Sequence, residues 1–136
     1  MATEILRPTG DDTIALSRSP SSGYNYQKVD DESPDDVSTF VYGTSVLGQT
    51  DIYTMTDMVN TPATINSLTV YYRCLSDADN CRAEVKVNGY SGAGPITISD
   101  STWTTYDYTW NTNPATSAAW TIEDLNAAEF GIKVVE

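Results

Sequence analysis

The side chains that usually carry out chemistry are unevenly represented in this 136-residue chain, which has nineteen acidic residues, seven basic ones and no histidine. Without histidine the commonest general base is missing. So are the serine–histidine and cysteine–histidine nucleophile pairs and the usual catalytic zinc site. Chemistry by carboxylates alone, as in glycoside hydrolysis, needs two opposed acids. The acids here cluster in turn-like stretches instead of standing singly among aromatic residues on strands. The expectation is a protein with no enzymatic activity and no cofactor.

Three constellations remain. Cys74 and Cys81 flank Leu-Ser-Asp-Ala-Asp-Asn and fall at the inner ends of two strand-like segments. A hairpin there would set them opposite each other, within disulfide reach. Oxidation would add roughly 2–3 kcal/mol by closing so short a loop. A reducing compartment would leave two packed thiols, and the sequence keeps both states open. Two sulfurs without histidine or a third cysteine do not make a metal site. Two acidic stretches are calcium candidates: Asp77, Asp79 and Asn80 between the cysteines, and Asp30, Asp31, Glu32, Asp35 and Asp36 in the run DDESPDD. Calcium takes about six to eight oxygens from a turning loop. Neither stretch has the EF-hand spacing, because the glycine and the distant glutamate are missing, and a solvated acidic loop is the competing reading of each. Finally, Tyr24, Tyr26, Tyr71, Tyr72, Tyr106, Tyr108, Trp103, Trp110 and Trp120 offer aromatic faces for stacking on sugars. The same residues can serve as core, which is the expectation for Trp110 and Trp120.

Strand signals that could position these groups recur every ten to fifteen residues or so, with turn residues between them. They fall at Thr3–Arg7, Tyr24–Val29, Val37–Tyr42, Thr50–Thr56, Ile65–Leu75, Arg82–Asn88, Pro95–Ser99, Thr102–Trp110 and Phe130–Val135. Leu68, Val70, Tyr72 and Cys74 share one face of their segment, and Ala83, Val85 and Val87 alternate with Arg82, Glu84 and Lys86. That alternation requires one wet and one buried face. A single short helix is expected over Ile122–Ala128. Thr121 caps it, Asp124 answers the cap three residues on, and Trp120 and Leu125 are placed to form a hydrophobic staple. The long connections Pro8–Gly23 and Asn111–Ala119 suit sheet-to-sheet crossings. The predicted fold is therefore all-β: one domain over residues 1–136, a two-sheet antiparallel β-sandwich of jelly-roll type with one short helix near the C-terminus. The cysteines are too close in sequence for the immunoglobulin framework.

A net charge of −12 repels nucleic acid and anionic lipid, so neither is an expected partner, and it keeps a protein soluble at high concentration. No apolar run approaches the roughly 20 residues that span a membrane, and MATEILRPTG lacks the features of a signal peptide. The chain is expected to fold in the cytoplasm where it is made. Its first nine residues read as an extended N-terminal arm.

Several segments carry a further likeness. The chain opens with ILRPTGD and continues through YQKVDDESPDD into a Thr-Phe-Val-Tyr strand. Near its end stand Trp110-Asn-Thr-Asn-Pro-Ala-Thr-Ser-Ala-Ala-Trp120-Thr-Ile-Glu-Asp-Leu-Asn and then Phe-Gly-Ile-Lys-Val. This order resembles small jelly-roll proteins encoded among the structural genes of tailed bacteriophages, from about Leu6 to Val134. The resemblance implies a virion component and carries over no catalytic motif. A capsid decoration (cement) protein is the role it implies first, with the major capsid protein and further copies of itself, as a trimer, for partners. A tail or fibre component binding the host surface is the alternative, and a carbohydrate-binding module a third.

Overall fold

The computed structural model describes residues 3–44, 46–76, 78–97 and 100–136. It is mostly β, 42% strand and 7% helix, with antiparallel sheets. The strands are β1 (Pro8–Thr13), β2 (Ser17–Ser19), β3 (Phe40–Tyr42), β4 (Thr50–Met55), β5 (Leu68–Cys74), β6 (Asn80–Val87), β7 (Tyr90–Ala93), β8 (Thr104–Trp110) and β9 (Glu129–Val135). Helix α1 spans Ile122–Ala127. Five strands form one sheet in the order β1-β4-β9-β6-β7, while β2 pairs with β3 and β5 pairs with β8.

The pattern of burial explains the layering. Ala83, Val85 and Val87 on β6 are almost completely buried and meet Phe130 of β9, Trp110, Trp120, Leu125 and Ala128 in one cluster. Leu68, Val70 and Tyr72 of β5 and Tyr108 of β8 pack against that cluster from the other side. The β5–β8 ribbon therefore covers the β6–β9 part of the larger sheet. The expected alternation of Leu68, Val70 and Tyr72 against exposed Tyr71 holds. Gly131 lets β9 approach β4: a Cβ there would lie 1.7 Å from the Asp51 carbonyl oxygen, so no side chain fits.

Helix α1 forms for the local reasons its sequence gives. The Thr121 hydroxyl accepts from the Asp124 amide at 3.0 Å, and the Asp124 carboxylate accepts from the Thr121 amide at 3.3 Å. Trp120 and Leu125, either side of the cap, are both in the core. Asn88 also donates to Asp124, and these hydrogen bonds, that of Asn88 first, hold its carboxyl below the ordinary range.

Among the described residues, three expected strands do not form where they were placed, and Ile98 and Ser99 of the third lie outside those residues. Residues Thr3–Arg7 lie outside any strand; β1 starts only at Pro8. Within the chain the Glu4 carboxylate accepts from the Val59 and Asn60 amides, and the Arg7 amide donates to Thr56 Oγ1. Within Tyr24–Val29 the structure has a short 3-10 turn, Tyr26–Lys28, because the Asp11 carboxylate draws in the amides of Asn25 and Tyr26. In the Pro95–Ser99 stretch only an isolated bridge, Cys81 to Thr97, appears among the described residues. The seventh strand instead follows the Asn88-Gly89 turn, where φ is 50° and 76°. Pro8–Gly23 is likewise no simple crossing, since β1 and β2 lie within it.

Candidate functional site

A cleft of about 1240 Å³ opens beside β5. It arises because the β5–β8 ribbon covers only part of the five-stranded sheet. β5 forms one bank, the stretch from Asp31 through β3 to Gly43 forms the other, and residues 3–8 close a side. The floor comes from Tyr53 and Met55 on β4 and from Phe130, Ile132 and Val134 on β9. Period-two alternation sends these side chains inward, yet Met55, Ile132 and Val134 are only half-buried. The cleft is thus an incompletely filled part of the interior.

Its rim is charged. Arg73 of β5 reaches across to Asp36 with two hydrogen bonds, Nε to Oδ1 at 2.6 Å and Nη2 to Oδ2 at 3.0 Å. The guanidinium holds the Asp36 carboxyl below the usual carboxylate range. The Val59 amide, first among its donors, does the same for Glu4. Arg7 donates to the Asp31 carbonyl, and the Thr39 hydroxyl donates to Asp31 and Asp35. The ring of Phe40 meets the edge of Trp103 at 6.2 Å, a second contact between the banks.

Of the DDESPDD carboxylates, Asp31 and Asp35 accept from Thr39 and Asp36 pairs with Arg73, so these three are engaged in internal contacts. Of the other calcium candidates, Asp77 lies outside the described residues. Asp79 precedes β6, and Asn80 opens that strand opposite Val135 instead of sitting in a turning loop. Among the described residues no three His, Cys, Asp or Glu side chains converge as a metal site would need.

The cysteines meet, though not as a hairpin. Their sulfurs lie 2.9 Å apart, but β5 pairs with β8 whereas β6 pairs with β7 and β9. Cys74 and Cys81 thus join the ribbon to the five-stranded sheet. The aromatic residues divide into separate pairs: Tyr24 with Tyr26, Tyr72 with Tyr106, and Tyr108 with Trp110. Trp110 and Trp120 are core.

Two polar clusters carry no obvious sequence motif. Asp51 is fully buried in β4 with every partner a neutral donor. Its Oδ1 accepts from the Ala15 and Leu16 amides at 2.9 and 2.8 Å, and its Oδ2 from Asn25 Nδ2 and Tyr53 OH, both at 2.7 Å. Burial, and then the Asp51 charge, push the Tyr53 phenol far above its usual value, so it remains a donor. This cluster anchors the Ala15–Tyr26 stretch to the sheet.

In the second cluster Lys86 Nζ lies 2.9 Å from Asp12 and 3.9 Å from Glu129. Lys86 lowers the Asp12 carboxyl, whereas burial and then Asp12 raise that of Glu129. A carboxyl raised by the fold contributes fully below its unfolded value, and that contribution is lost as pH rises through the folded value. Glu129→Gln keeps the shape and removes the charge. It should match the parent below pH 4.5, the ordinary value, and be the more stable at neutral pH. Urea unfolding on both sides of that value checks this, and a less stable variant at neutral pH would mean that the attraction of Lys86 outweighs burial.

Compared with known protein families, with curated proteins and with solved structures, the chain matches none.

Proposed function

We propose that this protein is a bacteriophage virion structural protein, a capsid decoration protein that docks on the outer shell as a small symmetric oligomer, most simply a trimer, and stabilises it without a cofactor. In this reading the two layers are the sheets of a jelly-roll sandwich, with β2–β3 extending the layer that contains β5–β8. The observation that carries it is the nature of the cleft beside β5. Apolar side chains and a strand edge line it, and four of its six carboxylates, Glu4, Asp31, Asp35 and Asp36, accept internal hydrogen bonds, which suits docking and offers no opposed acid pair for bond cleavage. The resemblance of the chain's segment order to that of small phage jelly-roll proteins suggests the virion setting. A charge of −12 suits a subunit that stays soluble until it docks on basic or polar groups.

Stabilisation follows from mass action. A protein that binds only the assembled shell adds RT ln(1 + [L]/Kd), about 2.7 kcal/mol per site at 100 Kd. Particles prepared without the protein should adsorb to host cells normally and burst on milder heating, and high salt should loosen attachment. Particles that keep their heat resistance but fail to adsorb would replace decoration by a tail role.

A further inference from the structure

The two banks of the cleft differ in a way that defines what fits between them. Consecutive residues from Asn66 to Ser76 line it, whichever face of β5 their side chains occupy, whereas the β8 side contributes only Trp103 and Thr105. The backbone edge of β5 remote from β8 therefore borders the cleft. Among the described residues that edge carries no strand, since β5 pairs with β8 alone. A regular seven-residue strand with one open edge is a template for another strand. Beneath it the half-buried Met55, Ile132 and Val134 and the inward-facing Leu68, Val70 and Tyr72 leave apolar surface that such a strand would cover.

The rim sets the charge of the occupant. Carboxylates outnumber cations there six to three, and only Asp36 among them is ion-paired among the described residues. A second copy of this chain, with nineteen acids and seven bases, is a poor match for that rim.

We propose that the cleft takes up an extended segment of a partner protein as an added β-strand on the open edge of β5, a segment with apolar side chains at alternate positions and lysine or arginine between them. The period of two sends one set of side chains down to the apolar floor and the other out to the acidic rim. Main-chain hydrogen bonds to β5 supply affinity that does not depend on sequence, and the alternation supplies specificity. At about 3.3 Å per residue, β5 accommodates roughly five to seven residues. The inference stands on the cleft alone, whatever larger structure the protein joins.

The test uses the full chain and three end-blocked seven-residue peptides. One alternates lysine and valine, one has its central valine replaced by proline, and one carries glutamine for lysine. Titration calorimetry at low salt measures binding, and hydrogen exchange follows the amides of β5 and of β7, one of the two edge strands of the larger sheet. The lysine–valine peptide should bind and slow exchange in β5 but not in β7. Proline removes a ladder donor and should weaken binding at least about tenfold, and the glutamine peptide should bind more weakly as well. The proposal fails if the first peptide does not bind or if it protects β7 equally. It fails also if the proline peptide binds as tightly, which would make the cleft a site for apolar molecules in general. Glutamine binding as tightly as lysine would overturn the basic partner. Protection of β5 in the protein alone, together with sedimentation as a dimer, would assign the edge to a second copy.

Discussion

Replacing Asp51 with alanine is expected to lower the unfolding free energy by about 4 kcal/mol, because each buried donor left unpaired costs about 1–3 kcal/mol. Four donors converge on this carboxylate: the amides of Ala15 and Leu16, Asn25 Nδ2 and the Tyr53 hydroxyl. Asn25 is itself fully buried and also donates to the Leu16 carbonyl at 3.0 Å. Water entering the gap would restore part of the loss, which keeps the expected value near the lower end of the sum. Against a total stability of about 5–15 kcal/mol for a domain of ordinary size, the variant would be close to unfolding. Asp51→Asn keeps one carbonyl oxygen for the two backbone amides and should lose about half as much. Because Asn25 and Asp51 satisfy each other, Asn25→Ala combined with Asp51→Ala should cost less than the two separate losses together. Urea unfolding followed by circular dichroism measures all four proteins. A loss below about 1 kcal/mol for Asp51→Ala would mean that solvent already reaches the cluster.

Asp51 also shows where the sequence is informative. Within Thr50–Met55, alternation places Asp51 on the same face as Tyr53 and Met55, an acid on an inward face, which is a signal of a buried polar cluster. Its partners at Ala15, Leu16 and Asn25 have no such signal, since only the folded chain brings them there. Helix α1 is the opposite case: Thr121, Asp124, Trp120 and Leu125 lie within six residues of one another and interact locally, so the cap and staple can be read directly. The faces of β5, β6 and β9 are legible for the same reason, since alternation fixes which side chains point inward. Alternation does not fix which strands are neighbours. The short Cys74–Cys81 spacing reads as a hairpin, but the two strands bury their faces against each other from different sheets. The Asn88-Gly89 dipeptide does mark a two-residue turn, and Val87 pairs with Tyr90 across it. The strand after it, Tyr-Ser-Gly-Ala, is too poor in strand-forming residues to stand out by composition. The open edge of β5 depends wholly on pairing and is invisible before it.

Trp120→Ala is expected to cost about 3–5 kcal/mol, the range of large aromatic truncations in a core. Trp120 is 3% exposed and packs in the cluster with Ala83, Val85, Val87, Trp110 and Leu125. Its indole Nε1 donates to the Trp110 carbonyl at 3.1 Å, at the end of β8, and its backbone bridges to Ile65. One side chain thus connects the ribbon, the start of α1 and the buried face of β6. Truncation leaves a cavity the size of an indole and a buried carbonyl without its donor. Trp120→Phe separates these effects: most of the packing remains and the hydrogen bond is lost, so about 1–3 kcal/mol of the cost should persist. The staple adds a coupling that urea unfolding can also read. Since Leu125 packs in the same cluster, Trp120→Ala and Leu125→Ala together should cost less than their sum, because the second truncation enlarges a cavity already opened by the first. A loss below about 1 kcal/mol for Trp120→Ala would place the indole on the surface and return it to the aromatic faces available for a ligand. Strictly additive losses would show that Trp120 and Leu125 support the helix independently.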